Sequence, residues 1–289
     1  MARTGGCAGG EGRGCAGRNA SGRKEFSSRE GCLSPAEVLR LCRYNTPTVY
    51  NGWEQLTKRN SARECFNIEE TRDFMPQMGP IAGYAVTVVC RPSDAQAPSR
   101  LPSAWSDYRR YIASVAGPKV VVVQDMDKPA VFGSFWGEVN ASIHRALGCV
   151  GTITDGAVRD LDEMNAAGFK AIARRPCVGH ARAWPIRWGC EVEVFGVAVR
   201  PGDLIHADKH GFLVIPPEDQ PRLLDAVAFM DGCELDTMIS TARNSAGRTA
   251  AEILEAMDRA SARFGEKVRN RFGRGGEWES RRARPGKSK

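Results

Sequence analysis

The chain has 289 residues, 42% of them hydrophobic, and a formal net charge of +7. That length can bury one sizeable core, and no apolar run approaches the roughly 18 residues of a membrane span or forms a signal segment at the start, so we expect a soluble, cytoplasmic protein. The charge says less than its size suggests: residues 1–31 carry six basic and three acidic side chains and residues 266–289 nine and three, which leaves the middle slightly acidic, so nucleic-acid binding is expected, if at all, only through the basic ends.

Both ends are rich in Gly, Arg and Ser and poor in large apolar residues, so they cannot offset the entropy of ordering and read as disordered tails. The expected organisation is a tail over 1–31, one domain over 32–265 and a basic tail over 266–289. Ten cysteines are scattered without a CxxC pair, which points to reduced, partly buried thiols rather than a disulfide framework or structural zinc.

Between the tails, Ser34, Pro35 and Glu37 form a helix start with capping-box spacing, and Asn45 and Pro47 are read as its end. "IAGYAVTVVC" (81–90) and "KVVVVQDMD" (119–127) are β-branched strand runs. A glycine-bearing loop follows, then a helix with Val139, Ile143, Ala146 and Leu147 at helical spacing and Gly148 as its stop. "CVGTITDG" (149–156) is the next strand, followed by a helix through Leu161, Met164 and Ala167 and a strand at 169–175. This repeated βα winding predicts an α/β fold with a largely parallel element in a mixed sheet. Residues 190–216 read as a β-rich layer, and helices are expected at about 217–231 and 249–266.

In wound α/β sheets, ligands lie beyond the carboxyl ends of strands, where helix N-termini offer free amides to anions. Two such ends occur here, one leading into Gly133, Gly137 and Glu138, the other into Asp155, Gly156, Arg159 and Asp160. If the two loops are neighbours, the Val139 and Asn140 amides and the Arg159 guanidinium can hold a carboxylate, leaving Asp160 for a hard divalent cation, an arrangement suited to an α-keto acid. On the residues alone the plainer reading is preferred: Arg159 and Asp160 are ordinary charges in the first turn of a helix, with Asp160 favoured there by the macrodipole.

"FWGEVNASIHRALGCVGTITDGAVRDLDEM" and "VRPGDLIHADKHGFLVIP" resemble the family that contains the regulators of ribonuclease activity A (RraA) and the 4-hydroxy-4-methyl-2-oxoglutarate/4-carboxy-4-hydroxy-2-oxoadipate aldolases. The likeness spans roughly residues 33–220. It rests on an acidic residue, twenty positions and an Arg-Asp pair, here Glu138, Arg159 and Asp160, with Glu163 at the position of a third acid associated with the aldolases. The resemblance implies a three-layer swivelling-type α/β domain, a homotrimer or homohexamer, and a lyase that uses Mg2+ or Mn2+. It implies Asp160 as the direct metal ligand, with Glu138 and Glu163 acting through the ion's water. Arg159 is expected on the pyruvoyl oxygens, and Gly137 with the Val139 and Asn140 amides at the carboxylate. Asn140 departs from the aliphatic residue common there, and Glu138 is longer than the usual aspartate.

The implied reaction is retro-aldol cleavage of a 4-hydroxy-2-keto acid to pyruvate, with oxaloacetate decarboxylation as a side activity and a metal-bound water, or one oriented by Glu138, moving the proton. The alternative is a non-catalytic regulator that binds a ribonuclease or another protein. His206 and His210 read as turn residues rather than zinc ligands. His144 reads as a surface or core histidine, the sequence does not decide whether the loop carrying His180 covers the pocket, and Cys149 and Cys190 read as core residues.

Overall fold

The computed structural model describes residues 32–273; the expected tail over 1–31 and the part of the C-terminal tail after 273 lie outside them. In chain order the elements are α1 (Pro35–Leu41), α2 (Thr46–Glu54), β1 (Arg72–Asp73), β2 (Ile81–Cys90), α3 (Ala97–Arg100), α4 (Ala104–Ser114), β3 (Lys119–Asp125), α5 (Glu138–Ala146), β4 (Cys149–Val158), α6 (Leu161–Ala166) and β5 (Lys170–Pro176). There follow β6 (Pro185–Trp188), β7 (Val192–Val194), β8 (Val197–Val199), β9 (Leu204–Asp208), β10 (Gly211–Ile215), α7 (Leu223–Glu234), α8 (Ser240–Arg243) and α9 (Ala250–Phe272).

The main sheet runs β1-β5-β4-β3-β2-β9-β10, with β6 also on β2. Its centre, β5-β4-β3-β2, is parallel, and the remaining pairings are antiparallel. The ten-residue β2 uses one edge twice, pairing Ile81–Tyr84 with β9 and Val88–Cys90 with β6. Side chains alternate across this sheet as period-two geometry requires. Val120, Val122, Ile153 and Ile172 pack with Val38, Leu41, Trp53 and Val227 on one face. On the other face, Val121, Val123, Ala171 and Ala173 pack with Tyr108, Ile112, Ala141 and Met164. The result is a mixed sheet between two layers, with α1, α2, α7 and the β7–β8 hairpin on one side and α4, α5 and α6 on the other.

Several boundaries differ from the sequence reading. Ser34 caps α1 in a full capping box, but Asn45 and Pro47 do not merely end it: the Asn45 side chain accepts the Thr48 N–H at 2.8 Å and starts α2. The helix expected to stop at 266 runs to Phe272, so the boundary set at 265 falls inside α9. Charge made this segment look like a tail, yet Phe264 and Val268 are buried at i, i+4 spacing against Met230 and Cys233. In α5 the buried residues are Ala141 and His144, and Val139 is 73% exposed. His206 is not a turn residue either: it is buried in β9, with Nε2–H donating to the Leu41 carbonyl and Nδ1 accepting from the Thr46 hydroxyl. Among the described residues all cysteines are free thiols, and no helix is long and apolar enough to cross a membrane.

Two buried lysines fasten the sheet. Lys119 Nζ donates to the Ile112 and Leu147 carbonyls, satisfying the C-terminal ends of α4 and α5 together. Lys170 Nζ pairs with Asp73 at 2.6 Å and donates to the Met75 carbonyl, holding the short edge strand β1 on β5. Removing one partner of a buried pair strands the other charge. Lys170→Met is therefore expected to cost about 3–5 kcal/mol in urea unfolding, and adding Asp73→Asn to recover part of that loss.

Candidate active site

The parallel strands all point their carboxyl ends toward one rim of the sheet, and the segments leaving them enclose a pocket of about 400 Å3. Ser134 ties three of these segments together. Its N–H donates to the Gly179 carbonyl at 3.0 Å, and its hydroxyl lies 2.9 Å from the Ala157 carbonyl while accepting the Trp136 N–H at 3.0 Å. The loop after β3, the end of β4 and the loop after β5 are thus held side by side.

Gly137, fully extended, precedes the first residue of α5. The Glu138 N–H donates to Asp160 Oδ2 at 3.1 Å, so the two loops are neighbours. The contact requires glycine, because a Cβ at position 137 would lie 2.6 Å from Asp160 Oδ2 and 3.2 Å from Arg159 Nε. Val139 and Asn140 are in the first turn, whose N–H groups have no intrahelical carbonyl. The Asn140 side chain does not take part in the pocket's hydrogen bonding; its amide donates to the Phe135 carbonyl at 2.7 Å and braces the preceding loop.

Asp160 is the N-cap residue of α6, but its carboxylate makes no capping bond there, and its backbone is left-handed (φ 53°). Such a conformation is uncommon for a residue with a side chain. It turns the carboxylate away from its own helix toward the start of α5. Arg159 Nε lies 3.7 Å from that carboxylate, and Arg159 Nη1 approaches the Val178 carbonyl at 3.5 Å.

Gly137, Val139, Asn140, Arg159 and Asp160 all line the pocket. Glu138 and Glu163 do not: both side chains are exposed, and Glu138 enters the arrangement only through its backbone. His180, left open by the sequence, is on the lining. His144 is a core residue beneath the site: it donates Nδ1–H to the Asn140 carbonyl at 2.6 Å and accepts from the Tyr108 hydroxyl at Nε2, and burial pushes its pKa down to about 4, so it remains neutral. Cys149 is fully buried and Cys190 packs on the core. The lining also includes Trp105, Phe135 and Trp184, which carried no motif; they meet only through tertiary packing.

Asp160 is the one carboxylate on the lining, and among the described residues no three His, Cys, Asp or Glu side chains are grouped to hold an ion. One carboxylate suits a magnesium-type ion, which keeps several waters and completes its shell with substrate oxygens. The place of Asp160 on the pocket lining and its partial exposure are compatible with that.

Behind the pocket, Asp125 and Asp155 end β3 and lie within β4, both buried. Asp155 accepts the Asp125 N–H at 2.7 Å and pairs with Lys128 at 2.8 Å. Burial, with Asp127 and Asp155 nearby, pushes the Asp125 pKa up from 3.8 to about 6.

A family model described as Aldolase/RraA, RraA-like, matches residues 46–214. A stretch of 110 residues is 30% identical to a Halalkalibacterium halodurans protein named as a candidate 4-hydroxy-4-methyl-2-oxoglutarate aldolase, covering 38% of this chain and 52% of that one. Another of 127 residues is 29% identical to an uncharacterized protein of Methanocaldococcus jannaschii (42% and 60%), and one of 138 residues is 27% identical to protein DlpA of Legionella pneumophila (47% and 21%). The matched segments thus span less than two thirds of each relative. Among solved structures, an uncharacterized protein from Pseudomonas syringae pv. tomato superposes with a TM-score of 0.60 at 20% identity, over 78% of this chain and 95% of that one. Streptomyces coelicolor RraAS2, described as an unusual member of the RNase ES inhibitor RraA family, gives 0.54 at 20% identity over 70% and 94%. At that identity the likeness speaks for the fold.

The raised pKa of Asp125 sets a stability slope. The folded state holds this proton more tightly than the unfolded state, so the contribution is full below about pH 4 and is lost as pH rises through about 6. Asp125→Asn keeps the acceptor for the Asp127 N–H and is expected to flatten that slope. It should raise stability at pH 7 by up to about 2 kcal/mol in urea unfolding.

Proposed function

Because the chain belongs to the RraA-like (Aldolase/RraA) family, we propose that it is a divalent-metal-dependent lyase that cleaves 4-hydroxy-4-methyl-2-oxoglutarate or a related 4-hydroxy-2-keto acid to pyruvate, with oxaloacetate decarboxylation as a side activity. The observation that carries this reading is the turning of Asp160 away from its own helix to meet the Glu138 N–H, beside Arg159 and two first-turn amides in one pocket. The Val139 and Asn140 amides receive the substrate carboxylate. Arg159 faces the pyruvoyl oxygens, placing fixed positive charge where the enolate oxygen develops. Asp160 holds Mg2+ or Mn2+, which when bound supplies Lewis-acid stabilisation of the same charge. Glu138, exposed at the pocket rim, takes the 4-hydroxyl proton through water. Glu163, in the first turn of α6, adds negative charge on the ion's side.

Phe132 and Val178 are large apolar side chains left 63% and 96% exposed on the loops that form the site. A second copy of the chain in a homotrimer or homohexamer would cover them. They would also serve the alternative reading, a non-catalytic regulator docking on another protein.

A coupled assay for pyruvate release from oxaloacetate and 4-hydroxy-4-methyl-2-oxoglutarate, with and without magnesium, separates the two. The lyase reading expects magnesium-dependent turnover that Asp160→Ala abolishes with the fold intact. Arg159→Lys should lower kcat about a hundredfold, roughly 3 kcal/mol, because a point charge cannot reproduce the planar contact. Wild-type kinetics in that variant would mean that the Arg-Asp pair only starts a helix. Gly137→Ala should also lower turnover by tenfold or more, on the order of the cost of a misplaced catalytic group, since its Cβ displaces Asp160.

A further inference from the structure

The pocket is one-sided. Arg159, Asp160 and the first-turn amides come from the starts of α5 and α6, whereas much of the remaining wall is aromatic, with Arg182 and His180 on the loop that also carries Trp184. Trp105 stacks on Phe135 with ring centres 5.1 Å apart and planes at 29°, and meets Trp184 edge-on at 6.0 Å. The wall is fixed before any ligand arrives. The Trp184 indole N–H donates to the Leu101 carbonyl at 2.9 Å, so its one polar atom is engaged within the protein. The Arg109 guanidinium lies 5.2 Å from the Trp105 ring centre, and Phe135 is 4% exposed.

We infer that this wall selects the substituent at C4 of the substrate, and that the preferred substrates are 4-hydroxy-2-keto acids carrying an aromatic ring there rather than a second carboxylate. The inference rests on the lyase reading of the same site. A pyruvoyl group held by Arg159 and the α5 amides fills only part of 400 Å3, a volume typical of pockets for considerably larger ligands. A carboxylate pressed against the ring faces of Trp105, Phe135 and Trp184 would lose its water without gaining a charged partner there. An aromatic ring would gain burial and favourable face or edge contacts. The remaining basic side chains on the lining, Arg182 and His180, are exposed, where water and salt weaken any hold on a distal carboxylate.

The reaction balances as a simple retro-aldol step. The 4-hydroxyl loses its proton, its oxygen becomes the carbonyl of an aromatic aldehyde, and the C3–C4 bond breaks. The electron pair moves to C3 as pyruvate enolate, which takes up one proton to give pyruvate.

Binding and turnover can be read separately on the full chain in magnesium buffer. Calorimetric titration with 2-oxo-4-phenylbutanoate and 2-oxoglutarate uses ligands without a 4-hydroxyl, which cannot be cleaved. The phenyl compound is expected to bind at least about tenfold more tightly, and Trp105→Ala to remove most of that difference while leaving 2-oxoglutarate nearly unchanged. Equal affinities, no binding of either compound, or a preference for 2-oxoglutarate that Arg182→Ala abolishes would overturn the inference. The comparison on the unaltered chain decides the matter even where Trp105→Ala fails to fold. Pyruvate release from 4-hydroxy-2-oxo-4-phenylbutanoate is measured beside oxaloacetate. Tight binding of the phenyl compound with no pyruvate from either substrate sinks the lyase reading but leaves the selectivity. Oxaloacetate turnover with a preference for 2-oxoglutarate does the reverse.

Discussion

The hydrogen bond from the Glu138 N–H to Asp160 is the constraint on which the site depends. It joins the start of α5 to the start of α6, two helices that follow different strands. It also needs three local conditions at once: a glycine at 137 with no Cβ in the way, a left-handed backbone at 160, and a β3–α5 loop held at the right height by Ser134. None of these is helpful to α5 or α6 individually. Together they place a carboxylate, a guanidinium and two first-turn amides around one small volume.

The core beneath that volume is built to keep it still. His144 receives a hydroxyl hydrogen bond from Tyr108 and gives its own proton to the Asn140 carbonyl, so α5 is fixed from below by a neutral, fully buried imidazole. Lys119 closes the far ends of α4 and α5 with a single ammonium group. Since α4 carries Trp105 and α5 carries the first-turn amides, this lysine and the Tyr108–His144 bond both tie together the elements behind the apolar and polar walls of the pocket.

The strands were readable because β-branched runs such as 119–123 have few alternatives to a buried parallel strand. The pairing of Glu138 with the Arg-Asp loop was readable from the family-like spacing and from the rule that strand ends carry sites. Local chemistry misled where tertiary contact outweighed it: Asn45 and Pro47 looked like a stop and act as a start, and the charges after Phe264 hid a helix that continues because Val268 finds a core. His206 looked like part of a turn because Pro201-Gly202 and Gly211 flank it, yet it sits in mid-strand with both ring nitrogens engaged. Trp105, Phe135 and Trp184 were invisible as a set because residues so far apart in the chain share no period or spacing that would mark them as neighbours.

The conformation of Asp160 bears most directly on whether the Arg-Asp pair does more than start a helix. An aspartate at an N-cap ordinarily accepts from the second or third amide of its helix, an arrangement worth about 1 kcal/mol. Here that bond is absent, and the backbone is in a region that costs a non-glycine residue on the order of 1–3 kcal/mol. The single Glu138 N–H that Asp160 receives in exchange is a partly solvated bond and offsets only part of this. A helix start selected for stability alone would have the opposite arrangement, with the side-chain oxygen on its own amides and an extended backbone, as Ser34, Asn45 and Thr249 have in this chain. Left-handed non-glycine backbone also occurs at Cys65, Ala181, Phe195 and Arg222, the last of these another helix start, but of the five only Asp160 and Ala181 line the pocket, where local instability can be tolerated when the surrounding contacts hold a group in place for a ligand.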